Sequence, residues 1–257
     1  MTLTFYKYQG TGNDFIMIDN RDQSFPIDNL GLIDTLCNRH FGVGADGIIL
    51  IENHETVDFN MRYFNADGSE TFCGNGARCA VAFASFLEII PGKTTFNACD
   101  GTHHAKIEND LISLQMIDVD DISIIDNTAF LYTGTQHHVE LVDQLDDYPV
   151  YQQGKKIRNS YDFPGSNVNF VQKINDNTFR VRTYEKGVEN ETLACGTGVT
   201  AVAIAMHSIK QTVSRAISLP VQGGLLEVSF DLVNNNYRNI CLKGPAQLVF
   251  KGSFDVE

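Results

Sequence analysis

The chain has 257 residues, of which 43% are apolar and 20% charged, a composition typical of a globular protein. Acidic side chains outnumber basic ones by 32 to 19, and because a net charge of −13 does not attract phosphate backbones, nucleic acid is not an expected partner. No apolar run approaches the roughly 20 residues of a membrane helix, and the first residues lack the basic and apolar regions of a signal peptide. We therefore expect a cytoplasmic protein with no membrane partner.

The first half of the chain reads as short strands separated by glycine-rich turns. Asp28 is predicted to cap a first helix that runs through Leu36, and a second helix, Asn75 to Leu87, is rich in Ala and Val. Apolar or alternating segments predict the strands Leu3–Tyr8, Phe15–Asp19, Ile48–Glu52, Phe59–Phe64, Thr94–Ala98, Ala105–Glu108, Leu111–Met116 and Ile122–Ile125.

The second half repeats this organisation. Residues 134–138 and 185–194 are predicted loops, Asn234–Asn236 a hairpin, and Cys195 starts a helix that ends near Ser208. Its predicted strands are Phe130–Thr133, Val139–Val142, Asn167–Gln172, Phe179–Tyr184, Ala216–Leu219, Leu225–Phe230, Asn239–Leu242 and Gln247–Phe250. The whole pattern predicts a mixed α/β (α+β) fold of two β-rich halves, each with one small-residue helix enclosed by sheet.

Two cysteines introduce nearly the same phrase. Cys73 opens CGNGARCAVAFA and Cys195 opens CGTGVTAVAIAM, about half the chain apart, each where a loop meets a helix. The positive end of a helix stabilises a thiolate and lowers the thiol pKa from about 8.5. The glycines that follow leave backbone N–H groups open to a ligand carboxylate. The duplication predicts two equivalent reactive thiols, each beside a carboxylate cradle.

The other four cysteines have a simpler interpretation. The sequence contains no C-x-x-C pair, so neither a zinc ribbon nor a thioredoxin-type motif is indicated. Without a signal peptide a disulfide framework is not expected either. We interpret Cys37, Cys79, Cys99 and Cys241 as small buried hydrophobic residues.

Paired thiols suit a reaction that inverts the configuration at a carbon atom. If the bound carboxylate belongs to an amino acid, one thiolate can remove the α-proton while the other thiol protonates the opposite face. Two helix N-termini aimed at the carboxylate would stabilise the carbanion without a metal or pyridoxal phosphate. We therefore expect no cofactor and no metal.

Several spaced motifs then carry a family likeness over essentially the whole chain. The chain resembles diaminopimelate epimerase in GTGNDF (Gly10–Phe15), GVGADG (Gly42–Gly47), NADGSE (Asn65–Glu70), CGNGARC (Cys73–Cys79), SNVNFV (Ser166–Val171), ETLACGTG (Glu191–Gly198) and LKGPA (Leu242–Ala246). The resemblance implies cofactor-independent interconversion of LL- and meso-diaminopimelate, in lysine and peptidoglycan-precursor synthesis, with Cys73 and Cys195 as the acid and base. It also implies a homodimer and two pseudo-symmetric domains, each a curled sheet around a central helix. In the resembled family the last strands return to the first domain, so the resemblance implies domains of 1–118 with 241–257 and 119–240.

The resemblance also implies roles for further residues. Three asparagines match substrate-binding amides, two helix starts match α-carboxylate cradles, and Glu185 matches a glutamate that handles the substrate amino group and helps set up the site. His137 matches a histidine near the thiols, and Lys186 joins the substrate-binding set. The implied substrate-binding residues are Asn13, Asn65, Gly74, Asn75, Asn167, Glu185, Lys186, Gly196 and Thr197, and the implied catalytic residues are Cys73, Cys195, His137 and Glu185.

Two departures from the family pattern concern recognition of the distal end of the substrate. Lys186 stands where the family usually has arginine, and a lysine offers a point charge instead of a two-pronged clamp. Thr135-Gln136 replace the usual Asn-Pro before His137. Alternatives therefore stay open: a proline- or hydroxyproline-type racemase of the same fold, a thiol redox protein, or a binding module without catalysis.

Overall fold

The computed structural model describes residues 2–162 and 165–256; Met1, Phe163, Pro164 and Glu257 lie outside the described residues. The helices in this part of the chain are α1 (Leu30–Cys37), α2 (Gly74–Phe86), α3 (Val150–Arg158) and α4 (Gly196–Ser208). The strands are β1 (Thr2–Gly10), β2 (Asn13–Asp19), β3 (Gly47–Glu52), β4 (Phe59–Asn65), β5 (Lys93–Ala98), β6 (Gly101–Glu108), β7 (Leu111–Gln115), β8 (Ile122–Ile125), β9 (Thr128–Tyr132), β10 (Gln136–Leu141), β11 (Asn167–Lys173), β12 (Phe179–Glu185), β13 (Asn190–Thr192), β14 (Ala216–Val221), β15 (Gly224–Val233), β16 (Asn236–Pro245) and β17 (Gln247–Asp255).

The chain divides into two compact units, and the first comprises Met1–Leu114 with Gly244–Glu257. Its strands lie in the order β7-β6-β5-β4-β3-β2-β1-β17 and pair antiparallel except at β2–β3 and β4–β5, which are parallel. Helix α2 packs against β1 to β4 and β6. Because its residues are mostly Gly, Ala, Val and Cys, strands can approach it closely, and most of the helix is buried.

The second unit is Gln115–Lys243. Six strands form one sheet in the order β13-β12-β11-β10-β9-β8, and β14, β15 and β16 pair antiparallel beside it. A parallel bridge from Thr178 to Ser218 links the two groups of strands. Helix α4 packs against strands of both groups, and ten of its residues are buried.

The two units repeat one order of elements. In the first, an antiparallel pair (β1, β2), a helix (α1), a second antiparallel pair (β3, β4) and the α2 helix precede β5, β6 and β7. In the second, β9 and β10, then α3, then β11 and β12, the short additional strand β13 and then α4 precede β14, β15 and β16. The middle strands pair in parallel in both units, β2 with β3 and β10 with β11. This repeat, with each small-residue helix packed on sheet, confirms the predicted mixed α/β class with pseudo-symmetric halves.

Most predicted strands and both cysteine helices are confirmed, but helix α3 was missed. Only Val150 and Gly154 of its nine residues are buried, so the local apolar pattern is weak. A Cβ built on Gly154 would lie 2.3 Å from Cβ of Tyr184, which shows how closely α3 lies on β12. The repeat offered a signal for this helix, because α1 occupies the same place between β2 and β3.

Three local predictions were wrong. The first helix is capped by Asn29, whose side chain accepts from the Leu32 N–H, and not by Asp28. His137 and His138 lie on strand β10 instead of in the preceding loop. The polar loop before Cys195 contains the short strand β13, which pairs with β12.

The hairpin predicted at Asn234–Asn236 is confirmed, with Asn234 and Asn235 at φ of 52° and 65° between β15 and β16. Within residues 2–162 and 165–256, none of the helices combines the length and the apolar composition of a membrane-spanning segment. The domain limits 1–118 with 241–257 and 119–240 stay a prediction.

Candidate active site

Cys73 is the N-cap of α2. It has extended backbone angles, and its Sγ accepts from the Gly76 N–H at 3.4 Å. A Cβ on Gly76 would meet Cδ1 of Ile49 at 2.9 Å and Cβ of Cys73 at 3.5 Å, so the glycine lets the first turn of α2 lie on β3. The thiol therefore lies at the positive end of a buried helix, as the sequence predicted, beside first-turn N–H groups that have no partner within the helix.

Asn13 and Asn75 form a chain of amides beside this thiol. Cys73 Sγ donates to Asn13 Oδ1 at 3.6 Å, and Asn75 Nδ2 donates to the same oxygen at 3.2 Å. Asn13 Nδ2 in turn donates to the carboxylate of Asp46. Both asparagines were predicted site residues, and the structure brings them together with Cys73.

Arg78 lies beneath these amides and is completely buried. Its Nη2 donates to Thr11 Oγ1 at 2.6 Å and to Asn75 Oδ1 at 3.0 Å, and its Nη1 lies 3.5 Å from the Gly74 carbonyl oxygen. None of the ion pairs among residues 2–162 and 165–256 includes Arg78, and burial lowers the pKa of its guanidinium. A buried cation without a carboxylate partner is costly, which favours a functional reason for its presence.

A cluster of charges holds the β1–β2 and α1–β3 connections. Asp14 accepts from Arg39 through both carboxylate oxygens at 2.8 and 2.6 Å, and Lys7 Nζ lies 2.8 Å from Asp14 Oδ2. Arg39 also pairs with Asp46 at 2.7 Å. Burial alone would raise the pKa of Asp14, but the hydrogen bonds and charges of Arg39 and Lys7 outweigh it and lower the pKa to about 2.

Asn65 ends β4, and its amide is engaged within its own turn. It accepts from the Tyr63 hydroxyl at 2.8 Å, and its Nδ2 lies 3.0 Å from the hydroxyls of Ser69 and Thr71. These contacts are those of a turn-stabilising asparagine. A contact of Asn65 with substrate stays a prediction.

Cys195 is the N-cap of α4 in the second unit and is 6% exposed. Its Sγ lies 3.5 Å from Thr197 Oγ1, and the Thr197 carbonyl accepts from Thr133 Oγ1 at 2.9 Å. The β9–β10 turn thus lies against the first turn of α4. Gly196 and Gly198 are buried there, and a Cβ on Gly198 would meet Asn169 Oδ1 at 2.5 Å and Cys195 Sγ at 3.3 Å.

His137 lies behind this turn in a buried polar cluster. Its Nδ1 is 3.1 Å from Asn169 Nδ2, which also donates to the His138 carbonyl at 3.0 Å, while Asn169 Oδ1 accepts from Thr183 at 3.0 Å. His137 is 0% exposed, and Nε2 has no hydrogen-bond partner among the described residues. Burial, followed by the charge of Lys186, lowers the pKa of His137 to about 3, so the ring is neutral at neutral pH.

Glu185, Lys186 and Asn167 meet where β12 ends and β11 begins. Asn167 is buried, and its Oδ1 accepts from the Lys186 N–H at 2.8 Å. Glu185 Oε2 accepts from Thr192 Oγ1 at 2.9 Å. The strand ends thus bring these three predicted residues together in the second unit.

The remaining cysteines divide differently from the prediction. Cys37 and Cys79 are buried, which confirms their interpretation as small buried hydrophobic residues, and burial raises the pKa of each thiol to about 12. Cys99 is exposed, so its interpretation as a buried residue was wrong. Cys241 is half-buried. No group of three or more His, Cys, Asp or Glu side chains within the described parts of the chain could hold a metal ion.

Two residues of the site were not found from the sequence. Arg78 lies inside the CGNGARC motif, where a charged residue between Ala77 and Cys79 of an otherwise small-residue helix was the available signal. Asn169 is two residues after Asn167 on β11, so both amides lie on the same face of that strand. The available signal was a pair of polar residues at alternate positions of an otherwise apolar strand.

Comparison with known proteins identifies the family. The family model described as diaminopimelate epimerase matches residues 5–116 and 129–249. The diaminopimelate epimerase of Flavobacterium psychrophilum is 57% identical over 253 residues, covering 97% of this chain and 99% of that protein. The diaminopimelate epimerase of Chlorobaculum tepidum is 40% identical over 256 residues, covering 95% and 98%. A crystal structure of a PhzF-family phenazine biosynthesis protein from Bacillus anthracis shares the fold, with a TM-score of 0.78, 13% identity and full coverage of both chains. The chain therefore belongs to the diaminopimelate epimerase family.

Proposed function

We propose that this protein interconverts LL- and meso-diaminopimelate by moving the proton at one α-carbon, a step in lysine and peptidoglycan-precursor synthesis. Beyond family membership, the observation that supports this proposal most is the repeated placement of a cysteine at the start of a buried, glycine-rich helix. A single such cysteine could be a simple helix cap. Two such cysteines occupy the same place within a repeated order of elements. This suits a pair of equivalent thiols, one acting as the acid and the other as the base.

The proposed chemistry uses Cys73 and Cys195 as a two-base pair. One thiolate takes the α-proton, and the electron pair of the broken C–H bond stays on the α-carbon, delocalised into the carboxylate. The other thiol then gives its proton to the opposite face and becomes a thiolate. The configuration inverts, no electron is gained or lost, and the reverse reaction exchanges the two roles.

The helix starts are the proposed binding sites for the α-carboxylate. Backbone N–H groups at Gly74-Asn75 and Gly196-Thr197 carry no bulky side chain at the glycines and lie at positive helix ends. Donors fixed before the reaction stabilise the charge that the carboxylate gains as the carbanion forms. This supplies the acidity that the α-proton otherwise lacks.

The proposed recognition of the rest of the substrate uses amide and charged side chains. Asn13, Asn65 and Asn167 offer amides that can donate to a carboxylate or accept from an ammonium group. Glu185 would hold the substrate ammonium group, and Lys186 would attract the distal carboxylate as a point charge. We further propose that the protein works in the cytoplasm, as a homodimer and without a bound cofactor.

The test is incubation of the reduced full chain with LL-diaminopimelate in deuterated water. We expect the α-proton signal to disappear in ¹H NMR while the meso isomer appears with deuterium at the inverted carbon. Folded, reduced protein that gives neither exchange nor inversion would contradict the proposal. Parallel incubations with L-proline and hydroxyproline separate the rival racemase, for which turnover of those substrates alone is expected. Light scattering of the same sample tests the dimer.

A further inference from the structure

The side chain packed under the first turn of α4, which Cys195 begins, differs in polarity from the one packed under the first turn of α2, which Cys73 begins. Ile49 and Asn169 are the third residues of β3 and β11, and each lies closest to the position of a Cβ on the matching helix glycine, Gly76 or Gly198. The side chain under α2 is therefore apolar, whereas the side chain under α4 is a buried amide that is hydrogen-bonded to a buried histidine. An interior amide in place of an aliphatic side chain has a desolvation cost that some other interaction must offset.

The orientation of the Asn169 amide follows from its partners. The His138 carbonyl oxygen can only accept, so the atom 3.0 Å from it must be the Nδ2 donor. The Thr183 hydroxyl then lies 3.0 Å from Oδ1 and donates to it. The second hydrogen of Nδ2 is directed at His137 Nδ1, which lies 3.1 Å away.

This orientation dictates the tautomer of His137. An Nδ1 atom that accepts from an amide N–H carries no proton, so the neutral ring must carry its proton on Nε2. Doubly protonating the ring would place two N–H donors against each other in a fully buried space. The low pKa of His137, about 3, agrees with this argument.

We propose that Asn169 is a positioning residue that holds His137 as a neutral Nε2–H hydrogen-bond donor, and that His137 is therefore not a general base. Nε2 has no acceptor among the described residues, and a buried donor without a partner costs about 1–3 kcal/mol. An acceptor that arrives with the substrate would remove that cost, and because the ring is fully buried, the chain around Nε2 must move to admit it. The role in turnover rests on the proposed function, whereas the tautomer does not.

The tautomer is tested on the full chain labelled with ¹⁵N-histidine, by two-bond ¹H–¹⁵N correlation NMR at pH 7. His137 is assigned by the signals that disappear in His137→Gln. We expect the Nε2–H pattern in the wild type and in Thr183→Val, which leaves both Nδ2 contacts in place. Asn169→Leu, close in size but without the donor, should show a tautomer mixture. A wild-type spectrum with Nδ1–H or a doubly protonated ring would overturn the proposal, even if the Asn169 variant does not fold.

The donor role is tested by two substitutions of His137. A glutamine can place an amide N–H near the former Nε2 position, whereas a leucine cannot, and neither can act as a general base. We expect kcat/KM of His137→Gln to exceed that of His137→Leu by about tenfold or more. Equal losses in the two variants would overturn the donor role. If the wild type is inactive on diaminopimelate, the proposed function fails while the NMR result still decides the tautomer.

Discussion

Nη2 of Arg78 lies 3.0 Å from Oδ1 of Asn75, and this contact decides which way round the Asn75 amide lies. A guanidinium can only donate, so Asn75 must present its oxygen to Arg78 and its Nδ2 to Asn13 Oδ1. Asn13 then directs its own Nδ2 at the Asp46 carboxylate. The amide chain thus runs from a buried cation to an anion, and its polarity is fixed at both ends.

Replacing Arg78 by methionine should therefore impair catalysis more than folding. Without the guanidinium the Asn75 oxygen loses its donor, while Asn13 stays held by its own carboxylate partner. The first turn of α2 is then less firmly placed beside Cys73, and we expect kcat/KM to fall by about tenfold or more, or about 1.4 kcal/mol of transition-state stabilisation. The free energy of unfolding should change by less than about 2 kcal/mol, because removing an uncompensated buried charge offsets the lost hydrogen bonds.

Urea unfolding and steady-state kinetics on the same preparation check this prediction. Arg21→Met is the matched control, because Arg21 pairs with Asp19 at the surface of the same unit and should leave both quantities unchanged. Normal turnover by Arg78→Met would contradict the argument.

The two site thiols should differ sharply from their buried neighbour. Cys73→Ala and Cys195→Ala each remove one of the proposed proton-transfer groups, and we expect epimerisation to fall by about 10²–10⁴-fold. Cys79→Ala removes a buried sulfur on the inner side of α2 and should cost about 1 kcal/mol of stability while leaving turnover intact. Rates of meso-diaminopimelate formation and thermal melts distinguish these outcomes. If Cys79→Ala lost turnover while the two site variants kept it, the chemistry would belong to Cys79 and the proposed pair would be wrong.

The same substitution should have opposite effects on stability in two helices. Gly154→Ala would place a methyl group 2.3 Å from Cβ of Tyr184, so α3 must move off β12, at an expected cost of about 1–3 kcal/mol. Gly31→Ala in α1 meets only Asn29 Oδ1, at 3.5 Å, and should stabilise the protein by about 0.5–1 kcal/mol through helix propensity. Denaturant titrations of both variants measure the difference. A stable Gly154→Ala variant would mean that α3 lies further from β12 than the structure shows.

Stability in acid should depend on Asp14. Its pKa is about 2 in the folded state against 3.8 as the ordinary value, so its contribution is present above pH 4 and disappears as the pH falls through 2. Since the carboxyl is only partly buried, solvent screening limits the contribution to about 1–2 kcal/mol. Asp14→Asn should lower stability at pH 6 and flatten its dependence between pH 4 and pH 2.

Urea midpoints across that pH range provide the measurement, with Asp34→Asn, on the exposed side of α1, as the control. An Asp14→Asn variant whose acid dependence matches the wild type would contradict the assignment of this effect to Asp14.

The sequence by itself determined the strand and helix pattern, the two cysteine helix starts and the family motifs. These features are local: alternation defines a strand, and a cysteine followed by Gly-x-Gly and an Ala/Val run defines a helix start. Helix α3 lacked such a pattern, because its place is decided by how Gly154 fits against Tyr184 from another element. Cys99 shows the same limit, because a short apolar neighbourhood did not reveal that the thiol is exposed.

Only the tertiary structure decided what surrounds the two thiols. In the sequence Arg78 is only a charged residue within a small-residue helix. The structure shows that it is buried and hydrogen-bonded to Thr11 and Asn75. The sequence marks His137 only as an implied catalytic residue, and its tautomer is decided by Asn169, which β11 brings to its Nδ1 atom. The physical reason is the same in both cases. Hydrogen-bond direction, tautomer and the cost of burying a charge depend on partners that are distant in the chain, and the sequence pattern around a residue does not contain them.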